Sequence, residues 1–325
     1  MDNGIVYYLD PIILTLGPLQ LRYYGLIFAS MLYLGFLFWR WQLLRGGYSS
    51  DLADRYLIWG VISVLAGSRL GHCLFYQADY YLANPVEILY FWKGGLASHG
   101  ATIGLMVGML GFSIRYRMRF IEVLDRFSIS ATGGAALVRL GNFFNSEIVG
   151  RVTDSPLGVK FLRHDCHSMG LCQIFETDNP EAHARWAELV ERTPARHPSQ
   201  LYEFALGMFV MLSLYMIDRW AGREKRPLGL MAGSFLAIYF FGRFFVEYFK
   251  EYQIDQLKAE TFTMGQYLSV LPFLVGVGII TWSLVARKST DEGRPEPLDV
   301  TPRPEKTSKS KSKSKSKSRS KKSSK

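Results

Sequence analysis

The stretch RLGNFFNSEIVG, from Arg139 to Gly150, places an arginine, two asparagines and a glutamate at the end of an apolar run. Arg139 and Asn142 are three residues apart, so one helical turn carries both on one face. Asn145 and Glu147 follow, and Gly150 stands where a backbone has to bend or approach a ligand. Arg243 and Glu247 are four apart in another apolar run, the spacing of an intrahelical ion pair. A guanidinium offers planar donors that bind two phosphate oxygens at once. His99, in GGLASHG, brings an imidazole that can take up a proton near neutral pH. HPSQLYE, residues 197–203, adds His197, Gln200, Tyr202 and Glu203 at a loop-to-helix junction, where Pro198 suits a first turn.

Each feature also has a plainer reading. Arg139 can snorkel from a polar helix end, and Arg243 with Glu247 can be a simple ion pair. His99 can be a packing histidine, and the HPSQLYE group a capping network. The elements that carry these residues bear on the choice. A bilayer-spanning helix needs about 20 mostly apolar residues. Such blocks lie at about 20–42, 55–76, 96–114, 121–140, 201–218, 228–247 and 267–286. The fourth is rich in Ser, Thr and Gly, which suits close packing inside a bundle. The expected fold is an all-α, polytopic membrane bundle of about seven transmembrane helices over residues 1–290, with an insert at about 151–197. The start, MDNGIVYYLDPIILTLGP, lacks the basic opening of a cleavable signal and reads as an irregular or interfacial segment. A large soluble helical core fits less well, because the loops are short and several blocks are apolar all round.

Lysines and arginines collect in cytoplasmic loops. Arg40 and Arg45 flank the first loop, Arg115, Arg117 and Arg119 fill the third, and Arg219, Arg223, Lys225 and Arg226 fill the fifth. The basic tail follows the last span. These are alternate loops, which predicts the N-terminus outside and the C-terminus inside. Tyr24, the pair Arg69 and His72, His99, Arg139–Gly150, HPSQLYE, and Arg243 with Glu247 then all reach the outer leaflet. Ionisable groups at membrane depth are costly and tend to mark function. Six segments delivering polar groups to one leaflet argue for a site, and two arginines there point to a phospholipid headgroup.

The formal net charge is +10, and residues 306–325 alone hold ten Lys or Arg and no acid. The tail therefore accounts for the excess, and the basic pI implies no nucleic-acid groove in the body. The tail, 291–325, reads as a disordered Lys/Ser-rich cytoplasmic segment. Of three cysteines, Cys73 lies in an apolar block and reads as a packing residue. Cys166 and Cys172 lie in the insert and can pair if it faces an oxidising compartment. HDCHSMGLC matches no standard zinc spacing, so no metal site is expected there.

RLGNFFNSEIVG resembles the signature of the bacterial prolipoprotein diacylglyceryl transferases, G-R-x-G-N-F-x-N-x-E-x-x-G, with Val138 in place of the first glycine. RYYGLIF at 22–28, GGLASHG at 94–100, HPSQLYE at 197–203 and GRFFVEYFKE at 242–251 resemble the family's other blocks, in the family's order. Ala101 stands where the family favours glycine. The resemblance runs over about residues 15–285 and leaves the 160–195 insert and the tail without a counterpart. It implies transfer of a diacylglyceryl group from phosphatidylglycerol to the lipobox cysteine thiol of a prolipoprotein, forming a thioether and releasing glycerol phosphate. It implies a bacterial inner-membrane enzyme working at the outer leaflet with no metal or organic cofactor. On this reading His99, Arg139, Arg243 and Tyr24 are catalytic. Arg139, Asn142, Asn145, Glu147, Gly150, Arg243 and Glu247 bind the lipid, and Glu203, Gln200 and Arg69 support them. A transporter would show repeated halves and a site near the midplane, and no internal repeat is visible. A non-catalytic scaffold gives no reason for two arginines at one depth.

Overall fold

The computed structural model describes residues 4–17, 19–175, 180–251 and 262–286. The tail at 291–325 lies outside the described residues. Among the described residues seven long helices form the body: α1 (Tyr23–Arg45), α2 (Ser50–Phe75), α4 (Ser98–Arg115), α5 (Phe120–Phe144), α8 (Ser199–Trp220), α9 (Leu230–Val246) and α10 (Met264–Ala286). The short α3 (Ala78–Ala83) follows α2, and α6 (Leu162–Met169) and α7 (Pro180–Arg192) belong to the insert.

Among the described residues, five segments are long and apolar enough to cross a membrane: α1, α2, α8, α10 and α9 extended to Phe249. Of the other two long helices, α5 carries Glu122, Asp125, Arg126 and Arg139, and α4 is 18 residues long with His99 and Arg115 near its ends. The outer faces of the apolar helices expose Leu32 and Tyr33 on α1, Ile58 and Ile62 on α2, Phe209 and Leu212 on α8, and Leu271 and Leu274 on α10. Apolar patches of this extent belong against hydrocarbon rather than water. The fold is that of a polytopic helical membrane protein.

The bundle is built around α5, which packs on α1, α4, α8 and α9. Separately, α2 pairs with α4 through glycines. A Cβ on Gly71 would lie 2.7 Å from the Cα of Gly100, so the two backbones touch there. That close approach is the small-residue packing that serves helices in lipid.

The all-α expectation needs one correction. The N-terminal segment is not irregular but forms short strands. β1 (Ile5–Tyr7) pairs in parallel with β4 (Val159–Phe161), and β2 (Ile12–Leu16) pairs antiparallel with β3 (Leu19–Arg22). The first pairing joins residues more than 150 apart, so no local pattern announces it. Tyr7 then packs on Phe143 (4.6 Å between ring centroids) and Phe161 (5.7 Å), forming an apolar pad with Val149 and Val159 beneath the signature turn. Burial, with Tyr23 nearby, pushes the Tyr7 hydroxyl up to about 12.

The end of α5 away from Arg139 holds a buried ion network. Arg126 bonds Glu122 (2.9 Å) and Glu224 (2.9 Å); Arg45 bonds Asp218 (2.6 Å) and Glu224 (2.8 Å); Arg226 bonds Asp218 (2.9 Å). Asp125 accepts the backbone N–H groups of Gly229 (2.6 Å) and Ala232 (2.8 Å), capping α9 from a neighbouring helix. Arg126 and Arg139 are 13 residues apart, so the network sits about 20 Å along α5 from the signature. It ties α1, α5, α8 and the α8–α9 turn together at the basic-loop end.

Candidate functional site

The site forms where α5, α8 and α9 end together. Arg139 lies in the last turns of α5, Glu203 in the first turns of α8, and Arg243 in the last turn of α9. Glu203 is 2% exposed and sits between the two arginines. Its Oε2 is 3.1 Å from Arg139 Nε, and its Oε1 is 3.4 Å from Arg243 Nη1. Lys250 Nζ approaches the same Oε1 at 3.8 Å and bonds Glu247 at 3.2 Å. The i,i+4 pairing of Arg243 with Glu247 expected from spacing is therefore replaced. Just beyond the helix the chain turns through Glu247–Phe249, which carries Glu247 toward Lys250 and leaves Glu203 to Arg243.

Three cations, Arg139, Arg243 and Lys250, thus surround the two buried carboxylates Glu203 and Glu247. Among the described residues Arg139 makes no other ion pair or hydrogen bond, and its side chain is 17% exposed. It does not merely snorkel: it is oriented by a buried carboxylate, with its remaining donors available. An oriented, partly desolvated guanidinium pair is suited to hold an anion and to stabilise charge that develops on it.

The signature turn follows. Asn142 is buried, and its carbonyl accepts the Glu147 N–H (2.9 Å). Asn145 donates to Glu147 Oε1 (3.3 Å), and the Glu147 carboxylate is exposed beside the cluster. Gln200 donates to the Glu147 carbonyl (2.7 Å) and Ser199 to that of Ile148 (3.1 Å), so the start of α8 holds the turn. Ser146 and Ile148 take positive φ, both at 55°. Gly150 does not leave room for a ligand, as its residue type suggested. Its missing side chain makes room for protein backbone, since a Cβ there would collide with the carbonyls of His197 and Phe249.

Tyr24 opens α1 and packs on Gly141, where a Cβ would sit 2.9 Å from the tyrosine ring. Gly141 is two residues past Arg139, so Tyr24 stands against the signature segment of α5.

Two expected residues stand on other helices. His99 is exposed in the first turn of α4, on the α2–α4 pair. Among the described residues no hydrogen bond or ion pair joins it to Arg139 or Arg243. Arg69 is 5% exposed and is fully engaged by the segment leading to His99. It donates to the carbonyls of Glu87 (2.7 Å), Ile88 (2.9 Å), Gly94 (2.6 Å) and Gly95 (3.3 Å). Its support goes to the GGLASHG loop, not to the arginine pair.

His197 bonds Tyr202 (3.2 Å) and packs on Phe249, and burial lowers its imidazole below the ordinary histidine value. Cys166 and Cys172 form a disulfide, which removes both sulfurs as thiolate ligands. Lys250 was missed in the sequence. Its signal was the i,i+3 spacing from Glu247 inside GRFFVEYFKE.

A family model described as prolipoprotein diacylglyceryl transferase matches residues 11–282. Proteins named phosphatidylglycerol–prolipoprotein diacylglyceryl transferase are similar along nearly their whole length. That of Tolumonas auensis is 34% identical over 280 residues, covering 86% of this chain and 96% of the relative. That of Cupriavidus necator is 35% identical over 298 residues, covering 89% and 97%. That of Nitrosomonas europaea is 34% identical over 279 residues, covering 84% and 90%. With the signature on α5, its partners on α8 and α9, and this breadth of similarity, the chain belongs to the prolipoprotein diacylglyceryl transferase family.

Proposed function

We propose that this enzyme transfers the diacylglyceryl group of phosphatidylglycerol to the thiol of a lipobox cysteine in a prolipoprotein. The observation that carries the reading is the Arg139–Glu203–Arg243 arrangement: two guanidiniums fixed by one buried carboxylate, at the common end of three helices. The sulfur attacks the glyceryl carbon that bears the phosphate ester. The C–S bond forms, the C–O bond breaks, and glycerol phosphate leaves with the electron pair. Arg139 and Arg243 bind the phosphate and stabilise the charge on the departing oxygen. Asn142, Asn145 and Glu147 line the headgroup side, and Glu247 holds Lys250 at its edge.

The attacking sulfur must be a thiolate, from an ordinary thiol pKa of about 8.5. His99 takes that proton, and Tyr24 orients lipid or thiol by a hydrogen bond. Because His99 stands on the α2–α4 pair and the arginines on α5 and α9, the two substrates approach from different helices. The site faces the outer leaflet of the bacterial inner membrane, in a seven-span bundle with the N-terminus out and the C-terminus in. The basic loops beside the Arg126 network support that orientation, and α4 and α5 complete the count.

Purified protein incubated with labelled phosphatidylglycerol and a lipobox peptide tests the reading. Labelled peptide is expected, and none when the peptide cysteine is serine. Lipid movement between leaflets without labelled peptide would instead support a transporter.

A further inference from the structure

The insert was left without a role by the sequence. Its fold shows that one residue joins it to both walls of the headgroup site. Arg196, 9% exposed, immediately precedes the HPSQLYE block. Its guanidinium grips Asp165 of α6 with two hydrogen bonds, Nε to Oδ2 at 3.1 Å and Nη2 to Oδ1 at 2.8 Å. Nη1 donates to Glu251 at 2.9 Å and lies 3.5 Å from the Gly150 carbonyl. Its backbone pairs with Val159 of β4 in both directions, at 2.8 and 2.9 Å.

The connections continue into the site. The Gly150 N–H bonds the His197 carbonyl (3.0 Å), the His197 N–H bonds the Arg151 carbonyl (2.9 Å), and the Arg151 N–H bonds the Phe249 carbonyl (2.9 Å). Val149–Arg151 is thereby clamped between 195–197 on one side and 249–251 on the other. One wall is the signature segment, which runs from Asn145 and Glu147 into Val149–Arg151, and the other is the segment after α9, which carries Glu247 and Lys250. α6 is itself fixed by the Cys166–Cys172 bond and a small core of Leu162, Leu171 and Leu189.

Resting on the reading proposed above, we infer that Arg196, held by Asp165, is a positioning residue that sets the spacing between the two walls of the phosphatidylglycerol headgroup site. The insert is the anchor against which that spacing is fixed. A shift of about 1 Å in a binding constellation can cost on the order of a hundredfold in rate. A guanidinium that bonds Asp165 and Glu251 in different directions can hold such tolerances. A lysine, with one ammonium point, cannot reach both in the same way.

The test uses wild type, Arg196→Met, Arg196→Lys, Asp165→Asn and the double variant Asp165→Asn/Arg196→Met. Initial rates are measured against phosphatidylglycerol at saturating lipobox peptide, and against peptide at saturating lipid. Arg196→Met is expected to raise KM for the lipid about tenfold or more, with little change in KM for the peptide. Arg196→Lys should fall between. The double variant should match Arg196→Met, because Asp165 acts through Arg196. A lower melting temperature or active fraction with an unchanged lipid KM would reduce Arg196 to a fold-stabilising role and overturn the inference. An added effect of Asp165→Asn in the Met background would overturn it as well. If Arg196→Met does not fold, Arg196→Lys and Asp165→Asn carry the same comparison. If wild type itself makes no product, the enzymatic reading fails first. Binding of fluorescent phosphatidylglycerol to the same variants then decides the inference, and unchanged binding rejects it.

Discussion

Replacing Arg139 by lysine isolates geometry from charge. Arg139 Nε pairs with Glu203 at 3.1 Å, and its side chain makes no further bond among the described residues. Its two terminal nitrogens are thus the groups that can meet a phosphate. Lysine keeps the positive charge but presents a single ammonium, which either stays with Glu203 or moves to the phosphate. One charge-assisted hydrogen bond is lost in either case, worth about 1.5–3 kcal/mol. At about 1.4 kcal/mol per decade, kcat/KM should fall by roughly tenfold to 150-fold. The assay is initial-rate transfer to a lipobox peptide, normalised to folded protein by thermal melting. Arg139→Gln, which also loses the charge, should fall further, because it leaves Glu203 with less compensation. An Arg139→Lys enzyme with the wild-type rate would refute the idea that a planar donor pair holds the phosphate.

Four other outcomes are expected. His99→Gln should lower turnover at neutral pH by about a hundredfold to ten-thousandfold, the usual cost of a lost general base, with partial recovery as pH rises toward the thiol pKa; a normal rate with an unchanged pH profile removes His99 from the chemistry. Changing Cys73, Cys166 and Cys172 together to Ser should preserve transfer, while loss of the short disulfide loop costs about 2 kcal/mol of stability; a folded but inactive triple variant would revive an enzyme-thiol mechanism. Burial works to raise the Glu224 carboxyl, but Arg126, Arg226 and Arg45 together hold it below its ordinary value. A carboxylate lowered on folding stabilises above its unfolded pKa and loses that contribution as pH falls through the lower, folded value. Glu224→Gln should therefore melt below wild type at pH 7 and converge with it in strong acid; an equal gap at both pH values contradicts the network's charge balance. In a background without other reactive thiols, Ala187→Cys should label from outside intact cells and Lys225→Cys should not; the reverse pattern inverts the topology.

The candidate arginine cluster was partly legible, because the signature, HPSQLYE and GRFFVEYFKE keep Arg139, Glu203 and Arg243 near helix ends. The apolar block at 20–42 appears as α1 and the block at 267–286 as α10, each within a few residues. What escaped was nonlocal. β1 pairs with a strand beyond residue 150, and the N-terminal residues offer no local signal of that partner. Arg243 has two carboxylates within reach of its spacing and fold, and only the turn after α9 decides for Glu203. Gly150 was assigned to a ligand because a glycine in a signature suggests approach, but not approach to what. The Arg126 network joins residues up to 179 apart, as Arg45 with Glu224 shows, so only the Glu122–Arg126 spacing was visible in advance. Arg196 has no local signal, because its partner Asp165 is 31 residues away and only the fold of α6 brings the two together.

The central claim is that a carbon–oxygen bond of phosphatidylglycerol is exchanged for a carbon–sulfur bond. Mass spectrometry of the lipidated peptide, with parallel quantitation of released glycerol phosphate, measures it directly. A diacylglyceryl mass on the cysteine, stable to neutral hydroxylamine, which cleaves thioesters but not thioethers, with one glycerol phosphate per modified peptide, is the predicted result. A hydroxylamine-labile acyl mass, or modified peptide without glycerol phosphate, would contradict it.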